Sequence, residues 1–164
     1  MKKSILALLL AVLMVASLLP AAAMADGTIF EVSTQEALEN VLARAQDGDT
    51  VRLVDDIAIV VTDTGIDALV PMLYINSDIT LDLNQHEIGY DQTNLDVSLA
   101  CTPCLICVNG ANVTITGNGI IDAEAKDNNA YGINVINNGS LSVENGDFYG
   151  AITAIQVESG RLNI

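Results

Sequence analysis

The chain has 164 residues, of which 21 are acidic and six basic, giving a net charge of −15; 51% are hydrophobic and none is tryptophan. A field of that sign repels nucleic acid and anionic lipid, and it excludes tight capture of a polyanion unless divalent cations bridge the like charges. Two Phe and four Tyr leave an aliphatic core of Ile, Val and Leu, and they deny the chain the aromatic faces on which sugar-binding platforms usually rest.

Lys2 and Lys3 precede an apolar run from Ile5 to Leu19, and Ala23-Met24-Ala25 places small residues before Asp26. This reads as a secretory signal peptide over residues 1–25, because an apolar core of about 15 residues falls short of the roughly 20 a spanning helix needs. Its removal leaves four basic residues against 21 acidic ones. The expected product is secreted or cell-surface, with no membrane span after signal removal. What remains is long enough for one domain that buries about two-thirds of its surface.

Residues 26–49 read as an N-terminal strand and a helix. Thr28 to Val32 alternates, and Ser33-Thr34-Gln35-Glu36 predicts a capping box with Ser33 as the N-cap. Leu38, Val41, Leu42 and Ala45 share one helical face, and Gly48 is expected to end the helix. An amphipathic helix here covers the open apolar end of whatever stack follows.

From Thr50 the period changes to two. The frames Asn109-Gly110-Ala111-Asn112-Val113-Thr114-Ile115, Asn138-Gly139-Ser140-Leu141-Ser142-Val143 and Ser159-Gly160-Arg161-Leu162-Asn163-Ile164 repeat a glycine turn and a short strand. Asp78 to Asn84 matches them without the glycine. Ile79, Val113, Leu141 and Leu162 then set a register with spacings of 34, 28 and 21 residues. Taking 21 as the bare rung places insertions at Gly89–Pro103 and Ala123–Ala130. Leu73/Ile75, Ile106/Val108, Ile133/Val135 and Ile155/Val157 supply a second strand per rung, and Ile88, Ile120 and Phe148 suggest a third. Asn84, Asn118 and Asn145 mark corners, where asparagine tolerates the left-handed conformation and can stack as a structural ladder. Residues 50–164 are thus expected to be parallel β-helix rungs. Because Leu162-Asn163-Ile164 stops within an inward-facing strand, more rungs and further C-terminal domains are expected beyond it. The fold class predicted is all-β, a right-handed parallel β-helix (solenoid) with an N-terminal amphipathic capping α-helix.

These motifs resemble extracellular right-handed β-helix proteins of bacteria, the pectate-lyase-like superfamily, and large surface proteins especially. Gln46 to Ile57 is similar to their "DGDT-strand-DI" entry, and Ile79 to Ile88 resembles their "LDLNGHTI" rung with Gln85 where glycine is usual. The likeness covers about Thr28 to Ile164 and implies a fold and an extracellular habit. Thr116 to Asp122 is similar to the "GxGxID" rung of polygalacturonases, but that family's Asn-Thr-Asp, Gly-Asp-Asp and Gly-His-Gly motifs do not occur in the sequence. A lyase of the superfamily needs acids on adjacent rungs to hold Ca²⁺ and a basic residue to take a proton. Beyond Arg52, only Lys126 and Arg161 could serve as that base.

Asp91, Asp96, Asp122, Glu124 and Asp127 could bind calcium as hard oxygen ligands, and otherwise read as a solvated acidic rim. His86, the single histidine, stands beside Glu87 with no nucleophile or ligand set and reads as a solvated or corner residue. Cys101, Cys104 and Cys107 lack the fourth thiolate of an iron–sulfur run. In an exported chain they point to a local disulfide, Cys101–Cys104 or Cys104–Cys107, or to inert thiols, with redox and metal roles as lesser readings. No catalytic, cofactor-binding or metal residue is assigned. Two functions remain open: a secreted or surface module displaying loops to a polysaccharide or to a host or matrix component, and a polysaccharide lyase or glycoside hydrolase whose catalytic rungs lie outside this chain.

Overall fold

The computed structural model describes residues 27–60, 69–91, 102–124 and 130–164; the expected signal peptide lies outside them. Strand β1 (Ile29–Val32) leads into helix α1 (Gln35–Leu42), and the chain then repeats in threes. The first set is β2 (Thr50–Leu53), β3 (Ile57–Ile59) and β4 (Leu69–Ile75), followed by β5 (Ile79–Asp82), β6 (Glu87–Tyr90) and β7 (Thr102–Asn109). Next come β8 (Asn112–Thr116), β9 (Ile120–Ala123) and β10 (Tyr131–Ile136), then β11 (Gly139–Val143), β12 (Asp147–Gly150), β13 (Thr153–Val157) and finally β14 (Gly160–Asn163).

β1 pairs with β2, and from β2 to β11 each strand hydrogen-bonds the strand three places further along the chain, so that three parallel sheets result: β1-β2-β5-β8-β11-β14, β3-β6-β9-β12 and β4-β7-β10-β13. The protein is therefore all-β apart from one short helix, with stacked parallel sheets. In the first sheet Ile79 pairs with Val113, Val113 with Leu141, and Leu141 with Leu162. This is the predicted register. In the third sheet Leu73, Ile106, Ile133 and Ile155 align in the same way. The second sheet departs from expectation: Ile121, not Ile120, aligns with Ile88 and Phe148, while Ile120 pairs with Glu87 and Asp147. Asp82 pairs with Thr116 and Glu87 with Ile120, so the corner after β5 holds one residue more than the corner after β8. A one-residue offset moves a strand's side chains to the opposite face.

Aliphatic side chains from all three sheets fill one continuous core, with Leu53, Ile59, Leu81, Ile88, Ile121, Ile133 and Leu141 all inaccessible to solvent. At the first rung, α1 packs against β4, the outermost strand of the third sheet, and buries Leu38, Val41 and Leu42. The N-cap is Thr34 rather than Ser33: its hydroxyl accepts the Ala37 N–H at 3.2 Å. The helix ends with Ala43 at its C-cap, before Gly48, whose φ of +93° makes a separate turn into β2. The Gln35 side-chain carbonyl accepts the Val60 N–H at 2.9 Å, which ties the helix to the chain leaving β3.

Between helix and stack, Asp49 is 7% exposed and acts as a clasp, its two oxygens accepting the N–H groups of Thr28 and Gln46 at 2.8 Å each. Replacing Asp49 with alanine strands two partly buried donors, and a loss of about 1–3 kcal/mol is expected. Urea unfolding checks it, with the midpoint falling and the slope unchanged.

Of the three expected corner asparagines, two take the left-handed backbone and Asn145 does not, and their pairing differs from the expected ladder. Asn84 and Asn118 have φ of +48° and +49°. Asn84 Nδ2 donates to the Leu53 carbonyl, and the Asn118 N–H donates to Asn145 Oδ1. The amide ladder itself runs on another corner, where Asn137 donates to Asn109 at 2.6 Å and Asn109 to Asn76 at 2.8 Å.

Candidate functional site

The strands of the second sheet are short, and two of the acidic residues named above, Glu87 and Asp122, lie on them. In β6, Ile88 faces the core, so Glu87 and Gly89 face out; in β9, Ile121 faces in and Asp122 out. Gly89 and Asp122 are register partners. A shallow cavity of about 180 Å³ on this face is lined by Asp56, Ile57, Ala58, Glu87, Gly89 and Tyr90. A Cβ at position 89 would stand 2.9 Å from Glu87 Oε1 and 3.1 Å from the Asp122 carbonyl, so a side chain there would crowd both strands.

Asp56 organises the rim. Its Oδ1 accepts the Glu87 N–H at 3.0 Å and lies 3.2 Å from His86 Nδ1. His86 is thus a corner residue paired with an exposed carboxylate, an arrangement that contributes little to stability in water. Partial burial, with Asp122 and then Asp56 nearby, raises the Glu87 carboxyl above its ordinary pKa. A carboxyl whose folded-state pKa is raised loses stability for the protein as pH climbs through that value, because the unfolded chain gives up its proton first. Glu87→Gln is therefore expected to stabilise at neutral pH by no more than ~0.5 kcal/mol at such a screened site. The gain disappears in acid, where Glu87 is itself protonated, and thermal melts of both proteins across pH 4–8 check the sign.

Of the five candidate calcium ligands, Asp96 and Asp127 lie outside the described residues. Asp91 follows β6, while Asp122 and Glu124 stand at the end of β9, where the Glu124 N–H donates to Asp122 Oδ1 at 2.8 Å. Among the described residues no three His, Cys, Asp or Glu side chains form a group that could hold a metal ion. Of the residues considered as a lyase base, Lys126 is outside the described residues, and Arg52 Nε pairs with Asp82 at 2.7 Å on the first sheet. Arg161 lies in β14 of that same sheet, beside a cavity of about 360 Å³ lined by Asn112, Asn138, Ser140 and Gly160.

Of the two expected outcomes, a local disulfide or inert thiols, Cys104 and Cys107 show the second. Cys104 and Cys107 are free and buried in β7, and Cys101 is outside the described residues. Residues three apart in a strand point to opposite faces, which keeps these two thiols from meeting. Burial pushes Cys104 up to about 12, and burial followed by the Glu158 charge pushes Cys107 up to about 11. Thiols held that high are poor nucleophiles and poor metal ligands at neutral pH.

The insertions are shorter than predicted, because Gly89, Tyr90, Thr102, Pro103 and Ala123 belong to strands. A third long connection, residues 60–68 between β3 and β4, accompanies them. All three join the second sheet to the third on successive rungs, whereas β12 and β13 are separated only by Ala151 and Ile152. Residues 60–68 carried no frame like the later repeats, so they escaped the sequence register.

Among the described residues no helix is long and apolar enough to cross a membrane. Compared with protein-family models, with curated proteins and with solved structures, the chain finds no match in any of the three.

Proposed function

We propose that the chain is a secreted or cell-surface module of right-handed parallel β-helix type, which presents the connections 60–68, 91–101 and 124–130 to a polysaccharide or to a host or matrix component. The observation that carries this reading is the common corner: three successive rungs make their long crossings from the same sheet to the same neighbour. Long connections on a rigid repeat are where binding residues concentrate. The winding is supported by the exclusively parallel pairing and the three-strand step, for which a right-handed connection is the strong preference. The leader-like residues 1–25 support export.

The test is a binding screen of the full chain against neutral and acidic polysaccharides and matrix proteins, beside a variant in which residues 92–100 are replaced by a short Gly-Ser link. Display requires a ligand that the wild type holds and the variant loses while its melting temperature stays the same. Release of unsaturated uronides from an acidic polysaccharide would overturn it in favour of a lyase. Equal binding by the two proteins would remove the connection from the reading.

A further inference from the structure

The outward face of the first sheet carries a row of polar side chains that changes character from rung to rung. Val113 and Leu141 face the core, so the residues before them, Asn112 and Ser140, face out, and Arg161 continues the row as the register partner of Ser140. Parallel strands lie about 4.8 Å apart, which sets the spacing of the three. Asp78, one rung earlier, fixes Asn112: one carboxylate oxygen accepts its backbone N–H and the other accepts Nδ2, at 2.7 Å each. The oxygen Asn112 Oδ1 is therefore the end of that amide left to bond. A cavity of about 360 Å³ is lined by Asn112, Ser140 and Arg161, with Asn138 and Gly160 at its turn end. That volume is within the range of small-molecule sites, roughly 300–1,000 Å³. The lining is accessible, since Asn112, Asn138 and Arg161 are exposed and Ser140 is half-buried.

Charge selects the ligand. Arg44 stacks over Phe30 at 5.5 Å, Arg52 pairs with Asp82, and His86 faces Asp56. Arg161 is the one described basic residue with neither an acid nor a ring against it among the described residues, in a chain of net charge −15. A guanidinium matches a planar carboxylate, which accepts two parallel N–H bonds from it. The field of the whole chain repels a polyanion, and a dianion such as phosphate keeps an unbalanced charge beside a single cation, so a monoanion fits best. One strand spacing from the cation, Ser140 offers a hydroxyl that makes no other hydrogen bond among the described residues. Two spacings away, Asn112 Oδ1 offers an acceptor. Hydroxyl groups on the carbons beyond the carboxylate meet both.

We propose that Asn112, Ser140 and Arg161 bind a small hydroxycarboxylic acid, its carboxylate on Arg161 and its hydroxyls on Ser140 and Asn112 Oδ1. The site lies on the first sheet, whereas the long connections join the second sheet to the third, so it goes beyond the display of those connections and does not depend on it. One charge-assisted pair at an open surface sets a weak affinity, with a dissociation constant on the order of 10⁻³ M.

The experiment titrates the isotope-labelled full chain with sodium gluconate at constant ionic strength and follows its backbone amide resonances. Two matched probes run in parallel: sorbitol, which has the hydroxyls without the carboxylate, and hexanoate, which has the carboxylate without the hydroxyls. Gluconate should move the Asn112, Asn138, Ser140 and Arg161 amides together along one saturating curve. Arg161→Gln should weaken binding at least about tenfold, as expected for a lost hydrogen bond to a charged group, and Ser140→Ala about threefold. Arg44→Gln, which removes the same charge elsewhere, should leave the curve unchanged. The proposal fails if gluconate moves none of these amides, if sorbitol or hexanoate binds as well as gluconate, or if the Arg44 and Arg161 variants weaken it alike, which would mean that only the overall charge matters.

Discussion

Leu141→Ala is expected to destabilise the protein by about 2–5 kcal/mol, a large share of the 5–15 kcal/mol typical of a domain. Leu141 is fully buried, and it lies in register between Val113 and Leu162, so truncation opens a void that closes only by bringing neighbouring rungs together. Backbone hydrogen bonds fix the spacing of those rungs at about 4.8 Å. The cavity therefore persists, and the cost should sit at the upper end of the range. Leu162, at the outermost strand of the first sheet, is only partly buried, and Leu162→Ala should cost less than half as much. Denaturant melts of the two variants check the ratio; equal losses would mean that the column does not continue through Leu141 as described.

Gly117→Ala should be as damaging for a different reason, with a loss of about 3 kcal/mol or more. Gly117 has φ of +95°, and a Cβ there would overlap Asn84 N and Asp82 Oδ1 and stand 2.9 Å from Leu83 N. Asp82 is already committed: one oxygen accepts the Asn84 N–H at 3.0 Å and the other accepts Arg52 Nε at 2.7 Å. An added methyl must displace that carboxylate and with it the links between three rungs. Gly110 makes the comparison clean, since its φ is +69° but its nearest atom would be Asn137 O at 3.5 Å. Gly110→Ala should therefore cost only the left-handed conformation, about 1 kcal/mol. Circular-dichroism melts of the pair separate conformational strain from collision.

The first sheet was legible in the sequence because every rung begins with a turn and an alternating strand, and Ile79, Val113, Leu141 and Leu162 repeat in the same place. The second sheet was harder to read. Its strands are three or four residues long, and the corner before β6 has one residue more than the corner before β9, which exchanged Ile120 for Ile121. Composition could not show that difference, since both positions are isoleucine. The helix was found from its apolar face, but the spacing of Ser33 to Glu36 pointed to the wrong cap, and the backbone entering the helix makes Thr34 the N-cap.

The candidate site was legible in part. Glu87 and Asp122 were in view as acids, but their meeting on one face depends on the register of β6 and β9. Cys104 and Cys107 left a disulfide and inert thiols both open, because closeness in sequence does not show that an extended strand turns their side chains to opposite faces. The polar row of Asn112, Ser140 and Arg161 left no motif of its own. It arises from outward positions on different rungs that only parallel stacking brings side by side.

The stacking itself is tested most directly by proton contacts in solution. Nuclear Overhauser spectra of the isotope-labelled protein should join the strand backbones of Ile79 with Val113, Val113 with Leu141, and Leu141 with Leu162, in the staggered amide-to-α-proton pattern of parallel strands. Close α-proton to α-proton contacts between strands adjacent in sequence, such as β5 with β6 or β8 with β9, would contradict it.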